Sequence, residues 1–380
     1  MINLSAVLLR PGCIVMREEP MSARLGRGEA LLEIECAAVC GTDISIWRGD
    51  YPVPLPLVPG HEFVARVVDT HARSPAARLI GRRVVCGINN SCVAYGRRAM
   101  CEACRRGLPR HCLRRTVTGI VNHPGAFARY LRAPQGNLHP LPNSIPSDAG
   151  TLIEPLAAAM RTFELTPLRG GEIVVVLGCG RLGRLVALAA GRLGARVIAV
   201  GRSQAHLDLV APFAWKRVRL PLQPPDGKES RAAEQENTKS CGHKRDGGGI
   251  VSVRDHEQLR AFVLDHTRGF GAGIVVEATG VGQNLLLAQR LAHPMGTIAM
   301  KSTSGVPVSD FNTTLAAVDE LRFQGSRCGS LEKAIRFMSR HRLPDSGWIT
   351  ARYPLEQTAQ AIEAAVTEPK VLVEVRRVLA

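Results

Sequence analysis

A strand, a glycine-rich turn, a helix and a second strand follow one another within residues 172–200, and this order restricts the fold more than any other feature. EIVVVL (172–177) is a short apolar run rich in β-branched residues, and RLGRLVALAAGRLG (181–194) has the pattern of a helix. ARVIAV (195–200) reads as a second buried strand. Strands joined through a helix in this way lie parallel, so we predict an α/β fold with a parallel sheet.

The alternation of strands and helices continues toward residue 300, whereas the first part of the chain is different. AGIVVEATG (272–280) and GTIAM (296–300) are strand patterns separated by the helix pattern QNLLLAQRLAH (283–293). Residues 1–155 contain mostly short alternating and β-branched patterns with Gly and Pro between them, which is typical of strands. Together with the length of 380 residues, this contrast predicts a β-rich domain beside the parallel-sheet domain.

Composition and charge disfavour several classes of protein. No run of about 18 apolar residues is present, so we predict no membrane span, and the first 20 residues make a poor signal peptide. We therefore expect a cytoplasmic protein. The net charge of +16 is compatible with an anionic partner, but Arg far outnumbers Lys, and a coding bias explains such a skew. Nucleic-acid binding is disfavoured.

Residues 221–249 interrupt the alternating pattern. They are polar, rich in Pro and Gly, and nearly free of large apolar side chains. Such a segment cannot bury enough apolar surface to offset the entropy lost on ordering. We predict a disordered insertion in the parallel-sheet domain.

The turn GCGRLG (178–183) lies between a strand and a helix, as a dinucleotide-binding motif requires. Gly178 permits a tight turn, Gly180 lets the backbone approach a pyrophosphate, and Gly183 lets helix and strand pack closely. The positive end of the helix dipole would then face the phosphates. A glycine-rich turn without a ligand is the alternative reading.

The end of the second strand bears on which dinucleotide binds. NAD sites usually place Asp or Glu there to bind the ribose 2′-hydroxyl, whereas this chain has Gly201, Arg202 and Ser203. Arg202 could pair with a 2′-phosphate, which favours NADP. The alternative is that Arg202 is merely exposed and that NAD binds without the acid.

Three residues far apart in sequence are candidate ligands of a catalytic metal. Cys40 and His61 offer a sulfur and a nitrogen, and Glu154 is an acid within an otherwise apolar run. A catalytic zinc takes three protein ligands and keeps a position open for substrate. Each residue also has a structural reading, as a core residue or as a helix-start acid.

In its motifs the chain resembles the zinc-dependent medium-chain alcohol dehydrogenases, especially the branch that includes sorbitol and threonine dehydrogenases. The resemblance covers nearly the whole chain except 221–249. The motifs occur in the order of that family: CGTD (40–43), PGHEF (59–63), EPLAAA (154–159), GCGRLG (178–183), VVEATG (275–280) and GSRCG (325–329).

This resemblance implies a GroES-like catalytic domain, 1–156 and 303–380, around a doubly wound Rossmann domain, 157–302. It implies a homodimer or homotetramer with zinc and NADP or NAD as cofactors. The implied reaction is hydride transfer between a primary or secondary alcohol, such as a polyol or amino alcohol, and the dinucleotide. The alternatives are a zinc-free quinone or enoyl reductase of the same superfamily, and a non-enzymatic nucleic-acid-binding or regulatory protein that uses the cysteine-rich loop.

The resemblance also implies the roles of individual residues. Cys40, His61 and Glu154 would bind the catalytic zinc, and Asp43 would orient His61. Glu62 would be an alternating or outer ligand, and Thr42 would take the alcohol proton. The implied cofactor contacts are Gly178, Gly180, Arg181, Leu182, Gly183, Arg202, Ser203, Thr279 and Arg327.

One departure from the family lies five residues after Cys40. Many relatives have His there as the end of a proton relay, whereas this chain has Ser45. A hydroxyl can pass a proton on but cannot store one near neutral pH. The relay through Ser45 is therefore expected to be weaker, or to run through water or the cofactor ribose.

Five of the eleven cysteines lie between residues 86 and 112, which without a secretory signal favours metal binding over disulfides. Many relatives hold a structural zinc in a C-x2-C-x2-C-x7-C lobe. Cys101, Cys104 and Cys112 match its last three positions, but Arg98 stands at the first. In the favoured interpretation Cys92 is the displaced first ligand, and in the alternative the site has decayed.

Overall fold

The computed structural model describes residues 1–22, 24–71, 74–221, 249–302, 308, 311–341, 343 and 347–376. The predicted disordered insertion, 221–249, lies outside the described residues except for its two end positions. The chain forms two compact units, Met1–Arg161 with Cys328–Ala380, and Thr162–Arg327. The sequence predicted boundaries after residues 156 and 302, whereas the units divide after Arg161 and after Arg327. The predicted domain boundaries remain predictions.

The first part of unit 1 is built mainly from strands. Its strands are β1 Ile2–Arg10, β2 Cys13–Pro20, β3 Glu29–Ala38, β4 Glu62–Thr70, β5 Arg83–Cys86, β6 Asn89–Asn90, β7 Thr116–Val117, β8 Tyr130–Pro134 and β9 Leu138–Pro140. Its helices are α1 Gly41–Arg48, α2 Glu102–Arg105, α3 Ser147–Gly150 and α4 Ile153–Leu165, the last of which continues into unit 2.

Unit 2 alternates strands and helices, and the chain then returns to unit 1. The strands of unit 2 are β10 Ile173–Leu177, β11 Arg196–Gly201, β12 Lys216–Arg219, β13 Ile250–Ser252, β14 Ala272–Glu277, β15 Ala292–Met300 and β16 Arg322–Gly325. Its helices are α5 Gly183–Arg192, α6 Gln204–Leu209, α7 His256–His266, α8 Asn284–Leu291 and α9 Thr313–Val318. The returning segment contains α10 Leu331–Arg340, β17 Ala351–Pro354, α11 Thr358–Ala364 and β18 Val371–Glu374.

The main sheet of unit 1 has the order β17-β18-β3-β4-β5-β9, with β8 also pairing with β3. β3 pairs antiparallel with β4 and with β18, so that Ala38 lies opposite both Glu62 and Leu372. The end of β3 therefore meets the starts of β4 and β18 at one edge of the sheet. The apolar residues of these strands form one core cluster that includes Ile34, Phe63 and Val373.

The sheet of unit 2 is parallel throughout, in the order β13-β12-β11-β10-β14-β15-β16. All six residues of β14 are buried, as expected when helices cover both faces of a parallel sheet. The strand order reverses between β10 and β14, and ligands of such sheets bind beyond the carboxyl ends of the strands at this point. The predicted α/β fold class with a doubly wound parallel sheet is confirmed.

Within the described residues, no helix combines the length and the apolar character needed to cross a membrane.

Candidate metal centres and dinucleotide site

Cys40, His61 and Glu62 form a compact set of potential metal ligands in unit 1. One ligand atom from each residue lies within 4.8 Å of those of the other two. His61 and Glu62 are buried, and Cys40 is half-buried. The edge where β3 ends and β4 starts brings the residues together, since Cys40 follows β3 by two positions and Glu62 is the first residue of β4. Sulfur, nitrogen and carboxylate donors of this kind suit zinc.

The fully buried carboxylate of Asp43 ties the two ligand-bearing segments together. Its oxygens accept hydrogen bonds from the backbone N–H of Cys40 at 2.8 Å and of Gly60 at 3.1 Å. One of these oxygens also lies 3.3 Å from Nδ1 of His61. Because Nδ1 faces Asp43, Nε2 of His61 is left as the donor for a metal. This is the orienting role that the family resemblance implies for Asp43.

Gly60 is required by the packing next to His61. Its backbone has φ of 93°, and a Cβ atom there would lie 2.9 Å from the ring of Phe127. Only glycine combines this left-handed conformation with so close an approach. Gly60 therefore lets the backbone pass close to Phe127 immediately before His61.

The charge around His61 favours its protonated form when no cation is bound. Burial by itself lowers the pKa of His61, but Asp43 and Cys40 beside it raise that pKa well above the usual range. An environment that attracts a proton so strongly also attracts a metal cation. The cluster thus has the donors of a cation site, with the carboxylate of Asp43 beside them.

The other predicted catalytic residues lie around this cluster. Thr42 is in the first turn of α1, and its hydroxyl oxygen is 3.8 Å from the sulfur of Cys40. Ser45 is half-buried one turn further along α1. Glu154 is half-buried in the first turn of α4 and is not a member of the close ligand cluster, in which Glu62 takes part instead. The roles assigned to Thr42, Ser45, Glu62 and Glu154 stay predictions.

Sequence reasoning missed one residue beside this cluster, Lys370. Its ammonium group forms an ion pair with Glu62, and both side chains are 2% exposed. Lys370 directly precedes β18, whose pairing with β3 carries it to the same edge of the sheet. The only sign in the sequence is a lysine before the apolar run VLVEV, and such a lysine is usually exposed.

The four cysteines of the predicted structural site come together in unit 1. Cys92, Cys101, Cys104 and Cys112 are all buried, and their sulfurs lie within 4.8 Å of one another. The sulfur of Cys112 is 3.6 Å from those of Cys92 and Cys101. Four sulfurs in a tetrahedron around zinc lie about 3.8 Å apart, given Zn–S bonds of about 2.3 Å. The residues therefore fit a tetrathiolate zinc site with Cys92 as the first ligand, and the occupancy of that site stays a prediction.

Hydrogen bonds around these sulfurs suit thiolates. Backbone N–H groups of Leu113 and Arg114 donate to the sulfurs of Cys101 and Cys112, each at 3.4 Å. The backbone N–H of Cys104 and other donors lower the pKa of Cys101 to about 6. Burial, together with the neighbouring thiols, raises the pKa of Cys104 to about 12. One thiol thus ionises readily, whereas ionising several needs a cation among them. Cys86 belongs to the apolar core instead.

In unit 2 the glycine-rich turn lies at the carboxyl end of β10, where the strand order reverses. A Cβ atom on Gly183 would lie 1.7 Å from the carbonyl oxygen of Gly178, so helix and strand leave no room for one. Gly178 has φ of 92°. A Cβ atom on Gly180 would meet nothing within 4 Å. The protein's own packing would thus allow a larger residue at position 180. The open space beside Gly180 fits the approach of a pyrophosphate.

The remaining predicted cofactor residues surround this turn or lie further along unit 2. Arg202 is exposed directly after β11, and its carbonyl oxygen accepts a hydrogen bond from Arg219 at 3.4 Å. Thr279 follows β14, and its Cα would lie 3.0 Å from a Cβ on Gly178. Ser203 accepts a bond from the backbone N–H of His206 at 3.5 Å. The other three are Arg181 and Leu182, both half-buried within the turn, and Arg327, exposed and accepting a bond from Lys301 at 2.9 Å through its carbonyl oxygen.

The neighbourhood of Arg202 is positively charged. Burial lowers the pKa of His206, and the charges of Arg184, Arg181 and Arg202 lower it further. The nearest acid on α6, Asp208, is paired with Arg217 at 2.8 Å. A phosphate group beside Arg202 would therefore meet arginines.

Comparisons of sequence identify proteins to which this chain is similar. Residues 26–143 match the profile of the alcohol dehydrogenase GroES-like domain. An L-threonine 3-dehydrogenase of Chelativorans sp. (strain BNC1) is 37% identical over 189 residues, which cover 46% of this chain and 50% of that protein. The chain thus spans about half the length of this relative. An uncharacterised zinc-type alcohol dehydrogenase-like protein of Haemophilus influenzae is 26% identical over 374 residues, covering 97% of this chain and 96% of that protein.

Comparison of structures agrees on the fold. A protein of Sinorhizobium meliloti 1021, described as a zinc-binding dehydrogenase and solved with NADP bound, superposes with a TM-score of 0.76 at 23% identity. The superposition covers 99% of this chain and 100% of that one. Likeness at this identity confirms the predicted fold, and the sequence matches confirm the predicted resemblance to zinc-dependent medium-chain alcohol dehydrogenases. The chain is therefore similar to zinc-type alcohol dehydrogenases along nearly its whole length, and its residues 26–143 match the GroES-like domain of alcohol dehydrogenases.

Proposed function

We propose that this protein is a zinc-dependent oxidoreductase that transfers a hydride between a primary or secondary alcohol and a nicotinamide dinucleotide. The observation that carries the proposal is the close set of Cys40, His61 and Glu62 in the same chain as the open turn at Gly180. Zinc-free reductases of the superfamily lack such a donor set. When bound, zinc would supply a Lewis acid for the substrate oxygen, and the nicotinamide would accept the hydride.

The chain's own residues would position the ligands and move the proton. Cys40 and His61 would hold the metal, with Glu154 as the predicted third ligand. Asp43, 3.3 Å from Nδ1 of His61, would keep Nε2 of His61 directed at the site. The hydroxyl of Thr42, next to the sulfur of Cys40, would take the alcohol proton. Ser45, one turn along α1, would pass the proton on without storing it.

NADP is the cofactor that we favour. Arg202 follows the second strand of unit 2 where an NAD site usually carries an acid, and the described surroundings of His206 are rich in arginine. Gly178, Gly180 and Gly183 would receive the pyrophosphate in either case.

The proposed substrates are polyols, amino alcohols and related secondary alcohols. The similarity to a threonine dehydrogenase supports a substrate that carries a polar group beside the carbinol carbon. We also propose that the protein acts as a homodimer or homotetramer in the cytoplasm and that nucleic acid is not a partner. Gel filtration with light scattering would measure the assembly.

A substrate panel with a matched pair of variants tests the function. Purified protein would be incubated with threonine, polyols or simple secondary alcohols and with NADP or NAD, and reduced nicotinamide would be followed by its absorbance. We expect wild type to turn over alcohols. Cys40→Ser should lose this turnover and should bind one zinc fewer per chain. Cys13→Ser, which changes a half-buried cysteine outside both clusters, should keep metal and activity.

Two results would contradict the proposal. One is metal content that Cys40→Ser leaves unchanged. The other is reduction of quinones or enoyl compounds, rather than turnover of alcohols, which would favour the zinc-free class of reductase.

A further inference from the structure

The buried pair between Glu62 and Lys370 has no part in the function proposed above, although Glu62 belongs to the metal-ligand cluster. Glu62 has one carboxylate oxygen against the ammonium group of Lys370. A carboxylate oxygen of Glu62 also lies within 4.8 Å of donor atoms of Cys40 and His61. Glu62 thus stands between two cationic partners, the ammonium group and the predicted metal.

The position of Lys370 is set by backbone pairing. The backbone N–H of Val39 donates to the carbonyl oxygen of Val371 at 3.0 Å, next to the ligand Cys40. Thr350 donates to the carbonyl oxygen of Lys370 at 2.9 Å from its backbone and at 3.2 Å from its hydroxyl. Hydrogen bonds therefore hold the backbone of Lys370, and the ion pair with Glu62 holds its ammonium group. The ammonium group has little freedom to leave Glu62.

A buried carboxylate needs a counter-charge, because an ionised group away from water is costly unless it is paired. Within the described part of the chain, Lys370 is the cation that contacts Glu62. If the ammonium charge is removed, the cation that remains within reach is the metal. Glu62 would then turn to the metal and stay there.

We infer that Lys370 is a positioning residue for Glu62, whose buried ammonium group keeps the Glu62 carboxylate from binding the metal permanently and so keeps a ligand position available for substrate. The inference rests on the proposed function, since it requires a metal held by Cys40 and His61. A merely structural pair would affect stability when broken but would leave the coordination of the metal unchanged.

Neutral variants of Lys370 test the inference. Lys370→Met keeps the length of the unbranched stem and removes the charge, and Lys370→Gln provides a second neutral variant if Lys370→Met does not fold. Two quantities would be measured on the metal-loaded full chain: the rate of zinc release to a chelator, and the visible absorption of the cobalt-substituted protein. Wild type minus variant spectra remove the contribution of the four-cysteine site, which is the same in both.

We expect the neutral variants to release the catalytic metal about tenfold more slowly, on the scale by which outer residues change metal affinity. Their cobalt absorption should weaken, because a further ligand raises the coordination number, and their KM for alcohol should rise. The double variant Glu62→Gln with Lys370→Met has no carboxylate to bind, so its release rate should return to that of wild type. Lys333→Met, an exposed change on α10, serves as the control.

The outcomes separate the inference from the function beneath it. If Cys40→Ser binds as much metal as wild type, the proposed function fails, and this inference fails with it. If that metal is present but the neutral variants release it at the wild-type rate with an unchanged cobalt spectrum, the inference alone is overturned. Equal slowing in the double variant would also overturn it, since Glu62 would then not be the cause.

Discussion

At the scale of single residues, short polar contacts determine what the predicted ligands can do. Asp43 illustrates this, because one buried carboxylate bonds to the backbone of both ligand segments and lies beside Nδ1 of His61. The ligand motifs CGTD and PGH are separated by sixteen positions, but they share this one anchor. In the same cluster, the ammonium group of Lys370 contacts the carboxylate of Glu62.

Ser45→His is expected to speed alcohol oxidation at neutral pH. An imidazole at this position could store a proton that the serine hydroxyl only passes on, and a full general base contributes about 100-fold or more. The pH–rate profile should gain an inflection near the usual histidine pKa of about 6.5. Steady-state rates from acid to alkaline pH provide the measurement, with Ser45→Asn as a control that does not titrate. A pH–rate profile identical to that of wild type would contradict the prediction that a histidine at position 45 stores the proton.

Arg202→Ala is expected to weaken NADP binding about tenfold or more, since a hydrogen bond to a charged group contributes about 1.5–3 kcal/mol. NAD has no 2′-phosphate, so its affinity should change little. Titration calorimetry with both dinucleotides measures the difference. Arg192→Ala, exposed at the far end of α5, is the matched control. Equal losses for NADP and NAD would argue against a contact with the 2′-phosphate.

At the scale of elements, each site depends on how strands end. The ligands Cys40, His61 and Glu62 lie where β3 ends and β4 begins. The glycine-rich turn lies where β10 ends, next to the reversal of strand order. Strand ends collect groups that are remote in sequence, because neighbouring strands finish at a common edge.

Alanine substitution at two glycines of the turn should affect different properties: stability at Gly183 and dinucleotide binding at Gly180. Gly183→Ala places a Cβ 1.7 Å from the carbonyl oxygen of Gly178, so β10 and α5 must separate. We expect a loss of stability of about 1–3 kcal/mol, as for overpacked cores. Gly180→Ala meets nothing within 4 Å, so it should fold normally but bind the dinucleotide less well. Denaturant unfolding and cofactor titration distinguish the two, and normal cofactor binding by Gly180→Ala would contradict the role of Gly180.

Cys92→Ser tests the lobe around α2. The two groups of potential metal ligands predict two zinc ions per chain. Cys92→Ser should lose the zinc of the four-cysteine site. Because structural zinc contributes directly to folding, its loss should also lower thermal stability. Elemental analysis gives the count, and Cys86→Ser, in the apolar core, is the comparison. A single zinc in the unmodified protein would refute the four-cysteine site.

At the scale of the whole molecule, each unit has a core and a site of its own. Unit 1 holds both candidate metal centres, and unit 2 holds the dinucleotide turn. Ligands should therefore stabilise the two units by separate contacts.

Hydrogen exchange with mass spectrometry can locate these effects. NADP at about 100 times its Kd should stabilise the folded state by about 2.7 kcal/mol, with the largest gain in protection around 173–201. Removing zinc with a chelator should reduce protection most around 92–112, where the sulfurs would lose their common cation. Protection by NADP confined to unit 1 would contradict the assignment of the dinucleotide site.

Local patterns in the sequence were sufficient to predict much of this protein. The strand–turn–helix pattern from 172 predicted β10, α5 and β11, because the period of apolar residues and the glycines of a turn act within a few positions. The fold class and the resemblance to the alcohol dehydrogenase family followed from such patterns and from the order of the motifs. Spacing also suggested that Cys92 would replace the missing ligand at Arg98, and the four sulfurs do lie together.

Only the tertiary structure decided which side chains share a site. Glu62 and Lys370 are 308 positions apart, and no local pattern connects them. Their pairing exists because β18 and β4 flank β3 on its two sides, which places a residue from near the end of the chain next to the metal ligands. In the same way, Glu62 rather than Glu154 stands in the close cluster. The sequence by itself determined the secondary-structure elements and the types of ligand atom. The pairing of distant strands determined which charged side chains, such as Glu62 and Lys370, contact each other.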